Sequence, residues 1–233
     1  MARPPQGQSH PGRQLAVLGL LFVILYALVF FGAGAKGDWH ERLEPKLGLV
    51  HPSGLSAATA HHWVWLHIAL LPIFPLLALG FVVLLRERPR AVVPRVARIV
   101  AWICAAVYAA GYTGLDAVAG IGAGTVAGQP GDPAELRRLV LALYATGDRL
   151  GAVGVYAFLA ATLAASVVLG SRHGLRVLPG TVVLLVAGWS FIDSHIFSPR
   201  GVQTMLAMAA GFALWTWAGA RPPATEKADP AGH

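Results

Sequence analysis

Between Trp63 and Leu85 the chain carries no Asp, Glu, Lys or Arg. About 20 consecutive apolar residues are enough for a helix to cross the ~30 Å hydrocarbon core of a bilayer. Comparable runs lie at Leu15 to Ala33, Val96 to about Gly120, a stretch from near Arg149 to Gly170, Val177 to about Asp193, and Val202 to Ala220. They predict an all-α fold: a polytopic integral membrane protein built as a six-transmembrane-helix bundle. Composition agrees, since 56% of the 233 residues are hydrophobic and 12% charged, against about a quarter charged in soluble domains. A single cysteine, Cys104, rules out an intrachain disulfide framework and a thiolate metal cluster.

The net charge of +7 does not point to nucleic acid, because the cations are spread between apolar runs. Their placement fits membrane topology, in which cytoplasmic connections carry the excess of Lys and Arg. The termini and the 86–98 and 171–176 connections hold Arg3, Arg13, Arg86, Arg88, Arg90, Arg95, Arg98, Arg172, Arg176, Arg221 and Lys227, against three acids. The opposite connections hold seven basic and eight acidic residues. Both termini are therefore expected in the cytoplasm, with the 34–62 and 121–148 segments outside. The excess of Arg over Lys and the abundance of Ala and Gly suggest a GC-rich bacterial genome. The location expected is then the inner (plasma) membrane.

Residues 1–14 read as a cytoplasmic tail, and 221–233, Pro-rich and polar, as a disordered one. The first run has the layout of a signal peptide, with Ala33-Gly34-Ala35 as a small-residue cleavage site. It is longer than the ~7–15 apolar residues of a signal core, which favours an uncleaved anchor. Pro72 and Pro75 should bend the second span. Gly-Asp-Pro-Ala-Glu at 131–135 predicts a helix start, with Asp132 as N-cap and Pro133 at the first helical position. The helix from Pro133 to Gly170 is too long for one span, so its first part should lie at or above the outer surface, with a bend at Gly147.

This topology gathers polar residues towards the outer face. His61 and His62 fall at the interface and His67 about one turn into span two. Tyr108, Tyr112 and Asp116 recur every four residues, sharing one helix face near the outer end of span three. Asp148 and Arg149 open span four, Ser190, Asp193 and His195 end span five, and His40 and His51 lie in the first outer loop. The inner half offers nothing comparable beyond flanking arginines. Ionisable groups within spans are costly and face the bundle interior, pair, or mark a pathway. A convergent outer-leaflet pocket follows from depth alone. Trp63, Trp65, Trp39, Trp215 and Trp217 are most simply interface anchors, and Asp193 a cap before Pro199. His67 and Asp116 depart furthest from such structural roles, because they lie deepest.

The residue types select several chemistries. Imidazole and carboxylate ligands suit zinc, copper or iron, so His62, His67, Asp116, Asp193 and His195 are the candidate metal ligands. No fixed-spacing metal signature is present. Haem held by His67 and His195 ranks lower, because His195 lies nearly outside. A Ser190, Asp193 and His195 hydrolase triad is disfavoured, since residues 193 and 195 point roughly 200° apart on a helix. A metal-dependent membrane hydrolase would share the metal ligands. Proton-coupled transport would use histidine and Asp116, but it needs a path through the inner half. A different reading is a non-catalytic accessory subunit, docking on a membrane-protein partner or a second copy through Gly114, Gly120, Gly122, Gly124, Gly147, Gly151 and Gly154.

Pro-Lys-Leu-Gly-Leu at Pro45 to Leu49, after an Arg-flanked span, resembles the opening of the actinobacterial SecD subunit of protein translocase. The sequence departs from that family at Val50-His51-Pro52-Ser53-Gly54. The family's large extracytoplasmic domain has no room before span two. The resemblance covers under a quarter of the chain, and no residue role is carried over from it.

Overall fold

A computed structural model describes residues 57–194 and 200–220, with the side chains of residues 57–59 and 62 left aside. The first span, the Ala33–Ala35 cleavage motif, His40, His51, the Pro45–Leu49 stretch, His195 and both tails lie outside the described residues. Within them the chain is helical. The elements are α1 (Ala57–Leu70), α2 (Ile73–Leu84), α3 (Val92–Leu115), a π-helical segment (Asp116–Gly122), α4 (Ala123–Ala127), α5 (Pro133–His173), a 3₁₀ turn (Gly174–Val177), α6 (Leu178–Ser194) and α7 (Arg200–Ala220). Three continuous helical stretches are long and apolar enough to cross a membrane: Trp63–Leu84, Val92–Ala127 and Pro133–Ser194.

The prolines act where the sequence places them. Pro72 cannot donate to the Ile68 carbonyl, nor Pro75 to that of Leu71. The first stretch accordingly breaks between α1 and α2, with the Leu76 N–H picking up the Pro72 carbonyl at 3.2 Å. At the start of α5 the Asp132 carboxylate accepts from the Glu135 N–H at 3.1 Å, with Pro133 as the first helical residue. The helix then runs unbroken through Gly147 to His173. Gly147 is buried, and a side chain there would strike Ala119. Its role is contact with the preceding helix, where the sequence had suggested a bend.

The third stretch folds back on itself at Gly174, which adopts φ 63° and donates its N–H to the Gly170 carbonyl. That left-handed conformation suits glycine because it has no Cβ. Beyond it α6 returns antiparallel along α5. Thr181 meets Ser166 and Gly188 meets Phe158. Helix α7 then packs antiparallel on α6, their backbones closest at Gly180 and Gly211.

The largest interface joins α3 to α5. A Cβ on Gly111 would lie 2.8 Å from the Leu150 carbonyl oxygen and 3.0 Å from the Gly154 Cα. In lipid the hydrophobic effect does not press helices together, so small residues that let backbones touch supply the attraction. Leu115 against Gly151 and Ala119 against Gly147 continue this seam. Beside it lies an aromatic core. Phe81 of α2 meets Phe158 at 5.6 Å, Phe212 at 5.1 Å and Trp215 at 6.1 Å between ring centres. One side chain thus ties α2 to α5 and α7.

Gly111→Val is predicted to destabilise the protein by ~1–3 kcal/mol through overpacking against backbone that cannot give way. Gly170→Ala, where an added methyl meets nothing within 4 Å, should be neutral or slightly stabilising. Thermal unfolding of both variants in detergent checks the pair.

Candidate functional site

The stretch from His61 to His67 resolves into two four-residue pairs. Exposed Trp65 donates its indole N–H to His61 Nε2 at 2.9 Å. The Trp63 and His67 rings lie 4.2 Å apart, both buried. Nδ1 of His67 is 2.8 Å from the Trp63 carbonyl oxygen. A carbonyl only accepts, so Nδ1 bears the hydrogen, and in the neutral ring the lone pair sits on Nε2. Metal-binding and proton-accepting histidines are commonly oriented this way.

The ring packs against the π-helical segment. A Cβ on Gly120 would fall inside the imidazole, and one on Gly124 would strike Trp63. Glycine at these two positions is what admits α1. The same face begins with Tyr112, whose ring centre lies 4.8 Å from that of Phe74 on α2. Tyr112 thus meets Phe74, Gly120 meets His67, and Gly124 meets Trp63, an antiparallel register. Asp116 falls midway between Tyr112 and Gly120 on this face, level with the turn of chain around Leu70 and Leu71, where the prolines break the helix. It is 3% exposed, the most buried carboxylate among the described residues, and its Oδ2 has no hydrogen-bond partner. The wide π turn also starts at Asp116. Single π insertions re-aim side chains and concentrate at functional sites.

Tyr108 and Tyr112 extend this line inward, with ring centres 5.6 Å apart. Both are buried, as expected of one face shared with Asp116. The Tyr112 hydroxyl donates weakly to the Phe191 carbonyl at 3.4 Å, and the rings of Tyr112 and Phe191 stack at 4.5 Å. This brings α6 to the same interface. The Tyr108 hydroxyl is buried with no partner.

The remaining candidates divide. Asp193 is exposed at the end of α6, away from the burial that His67 and Asp116 share. His62 belongs to α1 by its backbone, while its side chain and His195 fall outside the description. No group of three His, Cys, Asp or Glu side chains poised for a metal ion occurs among the described residues. The Ser190 hydroxyl is 2.9 Å from that of Thr204, which also lies 3.1 Å from the Ser194 hydroxyl. This is a clasp between α6 and α7.

A second polar cluster joins α5, α6 and α7. Thr181 bonds Ser166 at 2.8 Å and receives the Trp215 indole N–H at 3.2 Å. These groups carry no charge, and each finds a partner among the others. Sequence reasoning passed over them because a lone hydroxyl in an apolar run says nothing of what it faces.

Replacing Thr181 by Val should destabilise the protein by roughly 1 kcal/mol, since hydrogen bonds between membrane helices average about 0.6 kcal/mol each. Thermal unfolding in detergent reads the difference. No protein-family model, curated protein or solved structure matches this chain.

Proposed function

We propose that this is a multi-pass membrane protein whose buried Asp116, together with His67 of α1, forms a cation-accepting site for a transition-metal ion or a proton. The observation that carries the reading is the Asp116 Oδ2, buried without a donor. An unpaired carboxylate in an apolar interior is expensive and is retained where a cation or proton compensates it. Two further features support the reading. The carboxylate lies level with the Pro72–Pro75 break, where carbonyls lose their helical donors. Interrupted helices at this depth are a recurrent way of building ion sites. His67, held by its Nδ1 contact to the Trp63 carbonyl, is the second candidate ligand or proton acceptor.

In this reading the first run is an uncleaved span, six helices cross the inner membrane, both termini are cytoplasmic, and the site opens towards the outer face. Asp193 and His195 are kept as further candidate ligands of the proposed site, with His62 at its rim. Zinc, copper and iron are the metals of matching ligand preference. The accessory-subunit reading loses part of its support. Gly120, Gly124, Gly147, Gly151 and Gly154 are occupied by contacts within the chain. A Ser190 nucleophile is likewise hard to reconcile with the Thr204 contact.

Purified protein titrated with Zn²⁺, Cu²⁺ and Fe²⁺ should take up one ion per chain, lost in His67→Ala and Asp116→Asn. If the cation is a proton, wild type should instead show a pH-dependent infrared carboxylic-acid band that Asp116→Asn lacks. Neither metal uptake nor such a band would end the proposal. In cation-free buffer Asp116→Leu, which removes the unmet oxygens at similar volume, should also stabilise the fold by about 1–3 kcal/mol, the scale of an unmet buried polar group, as thermal unfolding would show.

A further inference from the structure

The opposite end of α3 has its own unmet groups. Arg95 and Arg98 sit in its first two turns, both partly buried. The Nε–H of each is buried and meets no acceptor. The rest of each guanidinium is fixed. Arg95 donates through Nη2 to the Arg90 carbonyl at 2.9 Å, and Arg98 lies over the Trp102 ring at 4.7 Å. Across the gap Arg172 of α5 donates to the Glu87 carbonyl and lies 3.7 Å from the Glu87 carboxylate. That contact draws the 86–98 and 171–176 segments together. They carry seven arginines and one acid, Glu87. Burial pulls Arg172 below the ordinary guanidinium value; Glu87 opposes this and Arg98 adds to it. The excess of positive charge is therefore held close, with donors that nothing among the described residues satisfies.

The same helix turns an aliphatic face outward next to these donors. Val92, Val96, Ile99 and Ile103 are all exposed. At 100° per residue they fall within about 40° of one direction, with Arg95 about 70° and Arg98 about 130° round the same side of the helix. Inorganic phosphate would answer the guanidinium donors and leave this stripe uncovered. A phosphodiester carrying acyl chains answers both.

We propose that the arginine-rich end of α3 is a binding site for one anionic glycerophospholipid. Its phosphate sits at Arg95 and Arg98, and an acyl chain follows Val96, Ile99 and Ile103. Arginine matches phosphate with paired donors, and basic pockets between helices at the membrane surface select anionic headgroups. The site is independent of His67 and Asp116 and lies at the other end of the bundle.

Native mass spectrometry of the full chain, titrated in detergent with phosphatidylglycerol or phosphatidylcholine, tests it. One phosphatidylglycerol should bind at least roughly tenfold more tightly than phosphatidylcholine, the scale expected for two surface-proximal arginines. Arg95→Gln with Arg98→Gln should erase the preference, and Arg95→Lys with Arg98→Lys should retain part of it. Millimolar inorganic phosphate should not displace the lipid. Equal binding of the two lipids, a preference unchanged in a folded Gln pair, or displacement by phosphate alone would overturn the proposal. Should the Gln pair fail to fold, the wild-type lipid preference and the phosphate competition still decide.

Discussion

Two backbones in near contact set the geometry of this protein. Where Gly111 of α3 meets Leu150 and Gly154 of α5, there is no space for even one methyl group. Dispersion falls off steeply with distance, and lipid offers no hydrophobic penalty for separation, so the closest point of a helix pair dominates its attraction. Once Gly111 is fixed, the register of everything outward on α3 follows: Leu115 on Gly151, then Ala119 on Gly147. The opposing face of the same helix is committed by the same act. Tyr112 then meets Phe74 of α2 and Gly120 meets His67 of α1.

The π-helical segment serves both faces. A regular α-helix would carry the α5-facing stripe and the α1-facing stripe outward at one fixed angle. Widening the turn from Asp116 to Gly122 changes that angle, so that Ala119 meets α5 and Gly120 meets His67. Glycine at 120 and 124 then lets α1 lie close enough for two aromatic rings to fill the gap. His67 is held by a backbone hydrogen bond and a tryptophan. These contacts hold the ring in one orientation.

Much of this was legible in the chain, and the limits are physical. Local rules were enough for the Asp132 cap and the Pro72–Pro75 break, since each depends on one residue's own hydrogen-bonding capacity. Four-residue spacing was enough to put Tyr108, Tyr112 and Asp116 on one face, and depth was enough to single out His67 and Asp116, both now seen to be buried. Azimuth was not available. Asp193, at the end of its helix, faces out, because which side of α6 is covered depends on where α7 and α3 lie. Gly147 was ambiguous for the same reason: a glycine that bends a helix and one that admits a neighbour look alike in sequence. Thr181 and Ser166 were invisible as a pair, because they are distant in sequence and joined only by the reversal at Gly174.

Buried polar atoms in this bundle are of two kinds, those partnered within the described residues and those that are not. Thr181, Ser166 and Trp215 bury polar atoms deep in the bundle and pair them with one another. Ser190, Ser194 and Thr204 do the same between α6 and α7. These groups behave as internal fasteners. Asp116 and the pair Arg95 and Arg98, at opposite ends of one helical stretch, hold buried polar atoms that the described chain leaves without partners. Such atoms lower stability. Opposite charges at the two ends of α3 and its π extension, one lacking a cation and the other an anion, are what a protein would keep if both partners came from outside the chain.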